Sequence, residues 1–265
     1  MGAVALAAGT VIGAGQVAML AAVGEAAPLV YRRPRVAILS SGDEVSPLER
    51  RDRIASGERI ADVNTPMLAA LVRAAGGVVV PLELVADDAT AIADAVQRAG
   101  DADLVITAGG ISVGQRDFVP AAMAALGATV VVRRVRLRPG GPTTVATLPD
   151  GRCWLALPGN PVSAFVTFHL FAKVAIARMM GIAAPVATPM SARLKDAVAR
   201  DPVLDQYLRV VLESSGDDGP PWASRTGGQG SWQTSSLARA DALAIVAAGV
   251  GVVAAGTVVA VLQVG

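Results

Sequence analysis

Histidine and cysteine are nearly missing from this 265-residue chain; His169 and Cys153 are the only ones. A single cysteine excludes an intrachain disulfide, and one of each cannot assemble a Cys/His zinc site. Cys153 opens the apolar run Cys153-Trp154-Leu155-Ala156-Leu157 and reads as a buried, inert thiol. His169 falls inside a helical pattern, packed or at the surface, and is assigned no chemistry. Aromatic residues are scarce too, at 3% against 53% hydrophobic, so the core must be built from Ala, Val, Leu and Ile. Lysine occurs only as Lys173 and Lys195, which leaves 21 arginines among the 23 basic residues. The net charge of +1 gives no global field that would draw nucleic acid or an anionic membrane.

Charge is absent from the first 24 residues, which raises the question of a membrane or export segment. That stretch holds five glycines, no basic flank and no Leu/Ile/Phe-dense centre, so it reads as neither. A short strand at Val4–Leu6, a turn at Gly9 and a helix from Gly13 to Val23 are predicted instead. The chain is expected to be soluble and cytoplasmic, with no membrane or nucleic-acid partner.

Apolar periodicity then alternates between strand and helix for about 150 residues. Val36–Ser40 is a continuous apolar run entering the Ser41-Gly42-Asp43-Glu44 loop. An arginine-rich polar stretch follows, then a helix starting at Asp62 or Asn64 with Pro66 just inside it, stopped by Gly76-Gly77. Strands are predicted at Val78–Val85, Asp103–Thr107, Thr129–Leu137, Thr143–Leu148 and Arg152–Leu157. Helices are predicted from an Asp88 cap to Gly100, over Phe118–Leu126, and from Pro161 to Met180. Pro149-Asp150-Gly151 is a tight turn that adds antiparallel pairing. This pattern predicts an α/β fold, a three-layer α/β/α domain with a mostly parallel mixed sheet. After Gly181 the character changes: Gln206–Leu212, Leu243–Ala247 and Thr257–Leu262 are short strands among Gly/Ser/Pro turns, a small β-sandwich or barrel-like domain. The expected units are residues 1–33, 34–183 and 184–265.

Ligands of parallel α/β sheets bind outside the carboxyl ends of the strands. Four loops fall there: 40–44, 108–117, 138–142 and 158–161. Their small residues let backbone N–H groups approach a ligand, and helix starts at Asp117 and Pro161 point positive dipole ends at it. Phosphate or another oxyanion suits that setting. Glu44, Asp62 and Asp117 add carboxylates of the kind Mg²⁺ uses when it bridges a protein and a phosphate. Taken singly, Asp62 and Asp117 are also ordinary helix N-caps, and Glu44 a solvated loop carboxylate. Four such loops at one edge point to an anion-binding site.

Several strings, in this order, resemble the molybdopterin molybdenumtransferase family, called MoeA in bacteria and the gephyrin E domain in animals. They are Ser41-Gly42-Asp43-Glu44, Asp62-Val63-Asn64-Thr65-Pro66, Gly109-Gly110-Ile111-Ser112-Val113-Gly114-Gln115-Arg116-Asp117 and Leu157-Pro158-Gly159-Asn160-Pro161-Val162-Ser163. The segment from Gln229-Gly230-Ser231 to Ala240 looks like the family's C-terminal β domain. The resemblance implies insertion of molybdate into adenylylated molybdopterin, with Mg²⁺-dependent hydrolysis of the adenylate and release of AMP. It makes Glu44 and Asp117 the essential acidic residues and metal ligands. It implies cofactor-binding roles for Ser41, Gly42, Asp62, Asn64, Gly109, Gly110, Ser112, Gly114, Arg138, Pro158, Gly159, Asn160, Pro161 and Ser163, with Arg209 and Ser231 contributed by the β domain. A homodimer and a partnership with the molybdopterin adenylyltransferase come with it. Gly141 stands where the family usually carries a second cation after Arg138. Further N-terminal domains found in full-length members have no counterpart here, so weak turnover by this chain alone is expected. The alternatives are a molybdopterin adenylyltransferase, which shares the α/β domain, and a truncated, non-catalytic binding or dimerisation module.

Overall fold

A computed structural model describes residues 3–111, 118–182 and 188–264. The N-terminal stretch carries helix α1 (Ala14–Ala22), none of whose residues is buried. Val4–Leu6 forms no strand, contrary to expectation. Val4 is 79% exposed, and a strand there would have no neighbour to take its backbone hydrogen bonds.

Strands β1 (Arg35–Ser40), β2 (Val45–Ser46) and β3 (Ile60–Ala61) come next, with helix α2 (Arg51–Ala55) between the last two. Then follow helix α3 (Asn64–Ala74), β4 (Val78–Pro81), α4 (Ala89–Arg98), β5 (Leu104–Ala108) and α5 (Phe118–Ala125). The domain is completed by β6 (Thr129–Arg133), β7 (Leu137–Arg138), β8 (Thr144–Thr147), β9 (Cys153–Leu157) and a long helix α6 (Pro161–Met179). The main sheet runs β4-β1-β5-β9-β8-β6; the first four strands are parallel, and the β8–β9 hairpin reverses the direction.

The period of two along each strand explains the three layers. In β1, Ala37 and Leu39 face one way, with Val105, Trp154 and Ala156, against Ile92 and Val96 of α4 and Met123 of α5. Val36 and Ile38 face the other way, with Leu104, Ile106 and Leu155, against Leu68 and Val72 of α3 and Phe168 and Ile176 of α6. Covered on both faces, the central strands are predominantly apolar, as buried parallel strands tend to be. The indole N–H of Trp154 donates to Thr107 Oγ1 at 3.1 Å, so the largest buried side chain leaves no orphan donor. Asp88 caps α4 as expected, accepting the Ala91 N–H at 2.8 Å. Helix α6 is apolar enough to cross a membrane by composition, but most of it is buried in this core.

The predicted strand Thr129–Leu137 breaks in two. Arg134 adopts a left-handed backbone, φ 64°, which turns the chain out of the sheet after β6. The predicted strand Val78–Val85 likewise ends at Pro81, with only a Ser41–Val85 bridge beyond it.

The C-terminal unit holds β10 (Met190–Leu194), β11 (Val198–Ala199), β12 (Asp205–Glu213), β13 (Trp222–Arg225), β14 (Ala242–Val246), β15 (Val252–Val253) and β16 (Val258–Gln263). The order β13-β10-β16-β14-β12 closes on itself because β12 also pairs β13, so the unit is a small barrel. Small side chains fill it: Ala192, Val210, Ala223, Ala244 and Val261. Four of the unit's strands, β10, β11, β13 and β15, had no counterpart in the sequence-based reading. β7 leaves the first domain and pairs β12 in parallel, Leu137 opposite Asp205 and Arg138 opposite Gln206. Val162 and Val166 of α6 pack on Leu243 of β14, so an apolar seam joins the two units.

His169 lies in a π-helical stretch of α6, Phe168–Ala172, beside the rings of Phe165 and Phe168. It is buried, and neither ring nitrogen has a hydrogen-bond partner among the described residues. Burial, helped by the charge of Lys173, pushes its pKa down to about 4. A depressed pKa means the folded state favours neutral imidazole. Its contribution is fully present above the unfolded value of about 6.5 and is lost as pH falls toward 4. We expect stability to drop by about 3 kcal/mol across that window on this account. Urea midpoints measured from pH 7 to pH 4 should show a flatter slope for His169→Phe, and an unchanged slope would refute the assignment.

Candidate functional site

The carboxyl ends of β1, β5 and β9 meet loop against loop. The Ser41 N–H donates to the Ala108 carbonyl at 3.1 Å, and the Gly109 N–H to the Leu157 carbonyl at 3.3 Å. Each loop thus starts by extending the ladder of its neighbour. A Cβ on Gly109 would overlap the Ser41 carbonyl oxygen, and φ there is 103°, so only glycine lets these two backbones pass. Gly159 closes on the same point, its Cβ position 3.2 Å from the Gly109 Cα. Ser41, Gly42, Gly109, Gly110 and Gly159 are therefore brought together.

Helix α3 is tied to this junction by its first residues. Ser40 Oγ lies 2.8 Å from Thr65 Oγ1. Asp62 is buried and accepts the Thr65 N–H at 3.0 Å, which gives it the N-cap role. Asn64 donates from Nδ2 to the Gly159 carbonyl at 2.7 Å. Two buried polar atoms at the junction, Ser41 Oγ and Asn64 Oδ1, have no partner among the described residues. Buried polar atoms are nearly always satisfied, so a partner beyond the described residues completes the bonding at this junction.

Pro158 is buried, Pro161 begins α6, and Asn160 accepts the Ala164 N–H through its carbonyl. Buried Ser163 lies in the first turn. The loop 138–142 leans on that turn: a Cβ on Gly140 would overlap Thr167 Cγ2, and Ser163 O is 3.8 Å away. Arg138 itself points outward, 69% exposed, and pairs with Asp201 at 3.6 Å. Glu44 is exposed at the mouth, and its carboxylate has no hydrogen-bond or ion-pair partner among the described residues. Its neighbour Asp43 accepts the Asp87 N–H at 3.2 Å. Ser112, Gly114 and Asp117 lie outside the described residues.

Arg209 is not a surface-facing contact. It is fully buried; Nε donates to Ser236 Oγ at 3.0 Å and Nη2 to the carbonyls of Gly228 and Gly230 at 3.2 and 3.1 Å. Burial without a carboxylate lowers its pKa to about 10, which leaves it charged at neutral pH. Its guanidinium shapes the 228–236 turn, and the Ser231 carbonyl of that turn accepts the Val162 N–H of α6 at 3.2 Å. Arg209 thus holds the turn in place, and Ser231 meets the first turn of α6 through its backbone carbonyl. Gln229 and Ser236, which hold Arg209, were missed; their partner is 20 or more positions away in the chain. Cys153 is half-buried with its thiol pushed up by burial, in keeping with an inert role.

Comparison with known proteins agrees with this geometry. Residues 37–178 match the family described as a probable molybdopterin binding domain, and residues 191–264 match the MoeA C-terminal region, domain IV. A molybdopterin molybdenumtransferase of Nostoc sp. is 37% identical over 97% of this chain and 59% of its own length. The Staphylococcus aureus molybdopterin molybdenumtransferase is 34% identical over 81% of this chain and 51% of its own. The chain thus spans just over half the length of these relatives. The crystal structure of the molybdopterin biosynthesis MoeA protein from Pyrococcus horikoshii superposes with a TM-score of 0.79 at 26% identity, covering 97% of this chain and 61% of that one. A molybdenum cofactor biosynthesis protein from Pyrococcus furiosus gives 0.72 at 25% identity, covering 99% and 79%.

Proposed function

The chain belongs to the molybdopterin molybdenumtransferase family, and from that premise we propose that its sheet-edge loops bind adenylylated molybdopterin for molybdate insertion with release of AMP. The observation that carries this reading is the junction of Ser41, Asn64, Gly109 and Gly159, glycine-lined and holding two buried polar atoms that have no partner among the described residues. Such a place can take the phosphates of the substrate by backbone approach, with the α6 N-terminus alongside.

Glu44 supplies an unengaged carboxylate at the mouth, a hard oxygen donor of the kind Mg²⁺ accepts. Asp117 is the second ligand in this reading. Among the described residues no three acidic, His or Cys side chains are grouped as a metal cage, so Glu44 and Asp117 would hold the ion only together with groups from the substrate. Mg²⁺, when bound, neutralises phosphate charge. The chain's own residues orient the adenylate, hold Glu44 at its flank and close the far wall with the 228–236 turn. A second copy of the chain is the partner this reading implies, and exposed Val17, Leu29, Val30 and Tyr31 support a covered face near the N-terminal end. The adenylyltransferase supplies the substrate in the same reading, in the cytoplasm.

The test is AMP release from adenylylated molybdopterin with molybdate and Mg²⁺ present. Glu44→Gln should lower the rate about 10²-fold while AMP binding, measured by calorimetry, stays near wild type. Release that is indifferent to Glu44→Gln, or an adenylate that leaves the loop resonances unmoved, would overturn the proposal.

A further inference from the structure

On the outer flank of the same sheet edge, across the Gly42–Glu44 turn, lies a second cleft of about 330 Å³. The reading above makes no use of it. Its walls carry Arg50, Arg53 and Arg59; Gly42, Asp43 and Ser46 lie beneath them. Local hydrogen bonding brings the arginines together. The Ile60 N–H donates to Glu44 O at 2.9 Å and the Asp62 N–H to Ser46 O at 2.9 Å, which folds β3 back along β2. The Arg59 N–H donates to Arg53 O at 3.2 Å, so those two residues are backbone neighbours.

Two of these charges are neutralised only weakly, and the third has no ion pair among the described residues. Arg50 meets Asp52 at 3.4 Å and Arg53 meets Glu58 at 4.0 Å, in pairs whose side chains are about half exposed or more. Exposed pairs of that kind are weak and yield to a better acceptor. Arg59 has no ion pair among the described residues. Asp43 is the one carboxylate in the lining, and its Oδ1 already accepts the Asp87 N–H. Counting Asp52 and Glu58 with Asp43, the three guanidiniums face three carboxylates, so the hold on an anion rests on Arg59 and on the weakness of the two exposed pairs.

We propose that this cleft is a second oxyanion seat, taking a tetrahedral dianion through the forks of Arg53 and Arg59 with Arg50 at the rim. Guanidinium groups match such anions two bonds at a time and keep their charge at any working pH. The cleft is roughly ten times a water's share of liquid volume, about 30 Å³, so the anion enters with part of its hydration. A free oxyanion and the phosphate of a nucleotide share this chemistry. The inference stands whether or not the junction across Glu44 binds molybdopterin.

The experiment titrates the full chain with inorganic phosphate, molybdate and AMP in separate runs, following arginine Nε–Hε resonances by NMR. The Arg53 and Arg59 signals should move along one saturating, salt-sensitive curve. The double change Arg53→Gln/Arg59→Gln should weaken that curve about tenfold or more, read from the remaining Arg50 signal. Arg51→Gln removes the same kind of charge from α2 outside the cleft and should leave it intact. Movement with phosphate and molybdate assigns the seat to free oxyanions; movement with AMP alone assigns it to a nucleotide phosphate. No movement with any of the three, or an equal loss in Arg51→Gln, would overturn the proposal.

Discussion

Gly109→Ala is expected to cost about 3 kcal/mol of folding stability and to remove ligand binding at the sheet edge. Two effects add. A side chain is forced into a backbone conformation, φ 103°, that L-residues rarely adopt, and the new Cβ overlaps the Ser41 carbonyl oxygen, which is backbone and cannot rotate away. Relief requires the β1 and β5 loops to part, and the Gly159 loop rests on the same atoms. Urea denaturation gives the stability and a calorimetric titration with AMP the binding. Gly100→Ala is the control: its Cβ would sit 3.5 Å from the nearest atom, in ordinary contact. A loss below about 1 kcal/mol, with AMP binding kept, would show that the loops tolerate separation and that the close approach is dispensable.

Arg209→Ala is expected to destabilise the barrel by about 4 kcal/mol. The change empties a fully buried volume and strips the Gly228 and Gly230 carbonyls and the Ser236 hydroxyl of their donor. Arg209→Met separates the two causes, because it restores bulk but leaves those acceptors without a partner. Hydrogen exchange at residues 228–236 should accelerate in both variants, and AMP affinity should fall as the Ser231 carbonyl loses its place on α6. Exchange that stays slow in Arg209→Met would mean that packing alone holds the turn.

Much of the α/β domain could be read from local signals. Val36–Leu39 is apolar without interruption because helices cover both faces, and Asp88 and Pro161 sit at helix starts for reasons confined to one turn. What escaped depends on partners far along the chain. β7 is two residues long and is a strand only because β12 lies beside it, 68 positions later. Arg209 sits between Leu208 and Val210, on the strand face opposite the core, where a cation is usually solvated; the 228–236 turn folds over it and buries it. The glycine-bearing loops at the sheet edge were legible from composition as a candidate site, yet the Asn64–Gly159 bond among them spans 95 positions. The arginine cleft escaped because the arginine bias was discounted as compositional, and convergence of Arg53 and Arg59 is a property of the β2–β3 pairing.

The barrel grips the first domain at two backbone points, the β7–β12 ladder and the Ser231–Val162 bond, with the apolar seam of Val162, Val166 and Leu243 between them. Both points are main-chain hydrogen bonds, so a displacement at either is carried directly into the backbone of the first domain. One of those points is continuous with the Arg138–Pro142 loop and the other with the first turn of α6, which are two walls of the same mouth. A load on the barrel is therefore shared between the Arg138–Pro142 loop and the first turn of α6, the two edges of one mouth.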